Sequence, residues 1–280
     1  MTPKPRLMRE MTLRDIQMVS LDILKQVHKF CCDNGIRYSL AYGTLIGAVR
    51  HKGFIPWDDD LDIMMPRPDY DRFCKTFRAQ GYEVVSRYNR PDCMIPFARV
   101  CDTQKTSIRT LAPWIREQGN LGIWIDIFPV DSVSDDPEQF RKTYLLSRKL
   151  QDKSVNSRKA MRPFTADMPF NFNLNTLKKK IFYLFMRSPE TILDEKEKVT
   201  QAFPYGSTRH VSQLAFTGIQ LYLDADIMNH YKAVPFEDSE FYVLEDYDTY
   251  LRTIYGDYMQ LPPEKDRHPL QTYIKFRFKD

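Results

Sequence analysis

Apolar side chains recur at helical spacing early in the chain, where Leu13, Ile16, Val19, Leu21, Ile23, Leu24, Val27 and Phe30 fall mostly on one stripe. Thr12 and Asp15 have the spacing of a capping pair and Asn34-Gly35 supplies a stop, so the pattern predicts a helix over residues 13–33. Residues 37–41 then read as a short strand entering a turn at Gly43, residues 44–51 as a short helix, and residues 60–64 as a second strand. Within that strand the alternation separates two faces, with Asp58, Asp60 and Asp62 on one and Asp59, Leu61 and Ile63 on the other. Leu61 and Ile63 are the core anchors. Tyr70, Phe73 and Phe77 predict a helix over 69–79, and residues 83–86, 95–102 and 122–128 read as strands, the last alternating around Asp126.

The second half has a different pattern. Residues 138–203 read as mostly helical, followed by a strand over 241–244, a helix over 246–255 stopped by Gly256, and the Leu261-Pro262-Pro263 segment. The expected fold class is therefore α/β (α+β), a mixed sheet flanked by helices over residues 1–137. A largely helical, basic extension over 138–280 packs its C-terminal segment back on that core. Neither internal repeats nor low-complexity tracts interrupt the chain.

Charge changes this picture only locally. The 280 residues carry 41 basic and 37 acidic groups, a net +4 that gives no argument for nucleic acid. Residues 141–187, however, carry twelve Lys or Arg against two acids. Five cysteines, all within the first 101 residues and without a CxxC pair, favour reduced thiols in a cytosolic protein over a disulfide framework or zinc site. No apolar run reaches the roughly 18 residues of a membrane span, and residues 1–10 lack a signal-peptide core. The expectation is a cytoplasmic protein, in contact with a membrane at most peripherally.

The chemistry concentrates between Tyr42 and Ile63. Asp60 and Asp62 sit about 6–7 Å apart along an extended strand, close enough to share one hard cation, and without a metal or a strong cationic partner they raise each other's pKa. The Gly43-Thr44 turn, opening a helix, offers backbone N–H groups to a phosphate whose oxygens such a cation would bridge. Asp126, an acid among Trp124, Ile125, Ile127 and Phe128, is either a third catalytic carboxylate or the partner of an arginine. Asp58 and Asp59 are either further ligands or scaffold that orients Arg50 and Lys52.

The block from Tyr42 to Ile63, with its Gly43-Thr44 turn, its Arg50-to-Trp57 insert and its Asp58-Asp59-Asp60-Leu61-Asp62-Ile63 run, resembles the LicD family of phosphotransferases. Two later blocks agree: Trp124-Ile125-Asp126-Ile127-Phe128-Pro129-Val130-Asp131, and the stretch from Tyr250 to Pro263. The resemblance implies a nucleotidyltransferase-like fold, Mg²⁺ (or Mn²⁺) held by Asp60, Asp62 and Asp126, and a phosphate turn at Gly43 and Thr44. It also implies transfer of a phospho-alcohol, phosphocholine from CDP-choline foremost, to a glycan or lipid-linked oligosaccharide. Ribitol or glycerol phosphate from a CDP donor, nucleotidyl transfer to a small molecule, and an inactive scaffold are the alternatives.

The insert is expected to line the donor pocket. Arg50 suits bidentate phosphate contact and Lys52 point-charge neutralisation, unless either is a surface cation. Trp57 suits a nucleobase or a quaternary ammonium, unless it packs in the core. His51 and His268 are structural residues or phosphate hydrogen-bond donors, Arg99 is a second-tier phosphate candidate, and Tyr255-Gly256-Asp257 either closes over the site or is a helix cap. Lys178, Lys179 and Lys180, set in an apolar stretch over 176–187, fit an interfacial helix on an anionic membrane or a buried helix with a lysine edge.

Overall fold

The structure, a computed structural model, describes residues 10–90, 93, 95–110, 121–160, 187–216, 220–269 and 274–279. Helix α1 (Leu13–Asn34) opens with the reciprocal cap its sequence predicts: the Thr12 N–H donates to Asp15 and the Asp15 N–H donates to the Thr12 hydroxyl. Gly35 closes it in a left-handed conformation (φ 58°), donating its N–H to the last carbonyls. Val19, Leu21, Ile23, Leu24 and Val27 are buried on the face that meets the sheet.

Strand β1 (Ser39–Leu40) leads into α2 (Tyr42–Ile46), which loosens into a π-helical turn over Gly47–His51. The helix therefore begins two residues before the expected Thr44. Tyr42, its first residue, carries a positive φ of 48°, so the chain reverses sharply out of β1. A side chain at Gly47 would stand 2.5 Å from the Gly53 carbonyl, so only glycine lets the turn lie against the following loop.

Strand β2 (Asp62–Pro66) begins at Asp62 rather than Asp60 and runs straight into α3 (Arg67–Thr76). Strands β3 (Tyr82–Val85), β4 (Ala98–Asp102), β5 (Thr106–Thr110) and β6 (Trp124–Val133) follow. The central sheet has the order β1-β2-β6-β4-β3. Only β2 and β6 run parallel among its described pairings.

Strand β6 continues to Val133, past the expected end at Phe128, because it changes partner. Strand β4 pairs with it up to Ile127 and β7 (His210–Ser212), itself paired with β8 (Leu223–Asp224), from Asp131 onward. The change spans Pro129, which has no N–H to offer a ladder.

In the second half, α4 (Pro137–Ala160) and α5 (Pro189–Thr200) pack against each other. The hairpin β9 (Tyr231–Phe236) and β10 (Ser239–Leu244) docks on β1, the Leu244 N–H donating to the Ser39 hydroxyl at 3.0 Å. Helix α6 (Tyr247–Tyr255) follows, and β11 (Ile274–Phe278) returns to pair with β5. The α/β class holds, and the region after residue 137 contributes strands as well as helices. Of the basic stretch 176–187, only Arg187 lies within the described residues. Among those residues no helix is long and apolar enough to cross a membrane.

One buried ion pair locks β2 and α3 to β6. Arg67, the first residue of α3, donates from Nε to Asp131 Oδ1 at 2.6 Å and from Nη2 to Oδ2 at 2.8 Å. Replacing Arg67 by Met leaves the Asp131 carboxylate buried without its partner, and is expected to lower stability in urea unfolding by about 3–5 kcal/mol. Replacing both residues by apolar ones should recover most of that loss; a single-variant cost below about 1 kcal/mol would mean the pair is not what holds these elements.

Candidate active site

The parallel register sets Asp62 directly beside Asp126, and the antiparallel register on the other edge sets Arg99 directly beside Asp126. With strands about 4.8 Å apart, two carboxylates and one guanidinium form a row across β2, β6 and β4. Arg99 Nε donates to Asp126 Oδ1 at 2.7 Å, and its guanidinium also lies 4.3 Å from the Trp124 ring. Asp126 is therefore the partner of an arginine, and it also lines a cavity.

The approach to β2 is held from three sides. Leu61 and Ile63 are fully buried. The Thr44 hydroxyl accepts the Asp62 N–H at 2.9 Å, and Gln17 of α1 donates to the Asp58 carbonyl at 2.9 Å. Gly43 contributes in a different way. A side chain there would stand 2.8 Å from Asp58 Oδ2, so its absence lets the Asp58 carboxylate lie against the turn.

Asp58, Asp60, Asp62 and Asp126 line a cavity of about 750 Å³. Carboxylate oxygens of Asp58, Asp59 and Asp60 lie within 4.8 Å of one another. Burial first, and then the charges of Asp60 and Asp59, push the Asp58 carboxyl from its ordinary 3.8 up to about 9. Asp62 is pushed well up by burial and by Asp60, Asp126 and Asp58, with Arg99 opposing. Burial also raises Asp126 in spite of Arg99. Clustered, half-buried carboxylate oxygens are a hard-donor set that could hold a divalent cation such as Mg²⁺ or Mn²⁺.

The expected site residues divide. Asp60, Asp62, Asp126, Gly43, Arg50 and Trp57 all line the cavity. The Thr44 side chain turns instead to the Asp62 backbone, and Lys52 is exposed and in a left-handed conformation that ends the π turn. Arg50 Nη1 donates to the Tyr258 carbonyl at 2.7 Å and to Gln260 at 3.3 Å, so it ties the 258–260 segment to the π turn. Trp57 is half-buried, with the Arg267 guanidinium 5.6 Å from its ring centre and His51 at its edge. Tyr255, Asp257, Tyr258 and His268 line the outer wall.

Sequence reasoning missed the opposite wall, formed by Tyr42, Phe97, Phe128 and Phe216. The signal for Phe128 was present, since it lies two residues beyond Asp126 on the same strand face. Phe97 and Phe216, on loops, gave none.

Residues 35–171 match the family described as LicD/FKTN/FKRP, nucleotidyltransferase domain. Over 282 aligned residues, 94% of this chain and 97% of the relative, the chain is 30% identical to the lipopolysaccharide cholinephosphotransferase LicD of Haemophilus influenzae. The chain belongs to the LicD family. A shorter stretch of 65 residues, 22% of the chain, is 40% identical to an uncharacterized protein of Rickettsia typhi, of which it covers 21%. All three blocks that carried the resemblance border the cavity of this LicD-family chain.

Two outcomes are expected. A carboxyl whose pKa is higher folded than unfolded stabilises the fold below 3.8 and loses that contribution as pH rises through the folded value, here up to about 9 for Asp58. Thermal unfolding without divalent cation should therefore weaken across that window, and the rise in Tm on adding millimolar Mg²⁺ or Mn²⁺ should grow from about pH 6 to about pH 8. No rise at any pH would remove the cation site. Separately, Gly43→Ala should displace the Asp58 carboxylate and weaken cation affinity by roughly tenfold or more in calorimetric titration, with the far-UV circular dichroism unchanged.

Proposed function

We propose that this protein is a divalent-cation-dependent phosphotransferase that moves phosphocholine from CDP-choline to a hydroxyl of a cell-surface glycan, of the lipopolysaccharide kind, or of its lipid-linked precursor. The observation that carries this is the gathering of Asp58, Asp60, Asp62 and Asp126 in one cavity large enough for a nucleotide-linked donor. The near full-length relative named as a lipopolysaccharide cholinephosphotransferase supports the choice of group and acceptor.

Asp58, Asp60 and Asp62, with Asp126 beside them, would hold the cation. When bound, it neutralises charge on the donor diphosphate and aligns it for in-line attack. Asp126, kept in place by Arg99, takes the proton of the acceptor hydroxyl as the oxygen forms its bond to the β-phosphorus. The bond from that phosphorus to the bridging oxygen breaks, and CMP leaves with the electron pair. Arg267, whose guanidinium stands over Trp57, is near enough for its charge to lower the Arg50 pKa further than burial alone, and Arg50 and Trp57 line the cavity together. That part of the lining suits the cytidine and its phosphate.

The test offers the purified protein CDP-choline, CDP-ribitol, CDP-glycerol and a glycan acceptor with Mg²⁺, and identifies products by mass spectrometry. Phosphocholine on the glycan, with CMP released in equal amount, is expected. Asp60→Asn and Asp62→Asn should each lower turnover by about 10³-fold or more with Tm retained. Full turnover in the presence of a chelator would reject the mechanism, and CMP on the acceptor would make the protein a nucleotidyl transferase instead.

A further inference from the structure

We infer that the wall of Tyr42, Phe97, Phe128 and Phe216 seats the trimethylammonium end of the transferred alcohol and selects choline over hydroxylated alcohols. The inference rests on transfer from CDP-choline and adds the residues that choose that group.

The four rings form one continuous surface. Phe128 lies 4.6 Å from Phe97, 5.3 Å from Tyr42 and 5.6 Å from Phe216, centre to centre, and Tyr42 lies 5.8 Å from Phe216. All four line the same cavity as the acids. Phe128 follows Asp126 by two residues on β6, which sets it on the same face about 6–7 Å further along. The four bonds from phosphorus to nitrogen in phosphocholine span roughly 5 Å at bond lengths near 1.5 Å. A phosphoryl group held at the carboxylates therefore delivers its ammonium to these rings.

The wall also has the right chemistry. Phe97, Phe128 and Phe216 have no hydrogen-bonding atoms, and the one hydroxyl is withdrawn: Tyr42 donates it to the buried Gln213 Oε1 at 2.6 Å. A polyol such as ribitol or glycerol would leave hydroxyls unpaired here. A trimethylammonium has no N–H or O–H to satisfy, and its charge is attracted by the ring faces and by the nearby carboxylates. Trp57, the residue the sequence offers for this task, has the Arg267 guanidinium 5.6 Å from its ring centre, and of the four rings Phe97 has the Arg99 guanidinium at 5.8 Å.

The experiment separates charge from shape. CDP-choline is compared with CDP-3,3-dimethylbutanol, in which carbon replaces the nitrogen, for the unaltered protein, Phe216→Leu and Phe97→Leu. Phe216 is 38% exposed, so its replacement leaves the core intact, and Tm is measured for every variant. The unaltered protein is expected to favour CDP-choline in kcat/KM by roughly tenfold, the size of one cation–π contact, and Phe216→Leu to bring the ratio toward one. Phe216→Trp should keep it. Calorimetric binding of phosphocholine with Mg²⁺ should weaken in parallel.

An unchanged ratio in both folded leucine variants overturns the assignment while leaving choline transfer standing. Preference of the unaltered protein for CDP-ribitol or CDP-glycerol overturns choline transfer itself, and the assignment with it.

Discussion

Mutual repulsion among carboxylates is the constraint around which this molecule is arranged. Asp58, Asp60, Asp62 and Asp126 line one cavity with Arg99 the guanidinium bonded among them. Left alone, such a cluster would splay apart or take up protons. Three of the acids are anchored through their backbone: Asp62 and Asp126 by the sheet ladder, Asp62 again by the Thr44 hydroxyl, and Asp58 by Gln17 through its carbonyl. The fully buried Leu61 and Ile63 fix the strand's orientation from the opposite face.

The lining of the cavity has two characters: Arg50 and Trp57 make part of it cationic and aromatic, while Phe97, Phe128 and Phe216 bring no polar side-chain atom to it. The sheet supplies Asp62, Asp126 and Phe128 while irregular segments supply Asp58, Asp60, Phe97 and Phe216, so the acid cluster and the aromatic lining each join the sheet to the loops beside it.

What could be read from the chain was whatever local spacing encodes. The capping box of Thr12 and Asp15, the alternation that buries Leu61 and Ile63, and the cost of an acid at Asp126 all follow from neighbours within a few residues. Pairing across the sheet does not. That Arg99 stands beside Asp126, that Arg67 grips Asp131, and that Gln213 takes the Tyr42 hydroxyl are consequences of register and topology, invisible until strands have neighbours. Strand β2 starts later than its alternation suggests because the same alternation persists through the irregular stretch that approaches it. The π turn was hidden for a related reason: its sequence is ordinary, and the close approach of Gly47 to Gly53 is a property of the packed loop.

Arg50 reaches the Tyr258 and Gln260 carbonyls across 208 and 210 residues of chain. Closing a loop of that length costs entropy that local elements such as α1 do not incur, so the 255–263 side of the cavity exists only through contacts made across most of the chain.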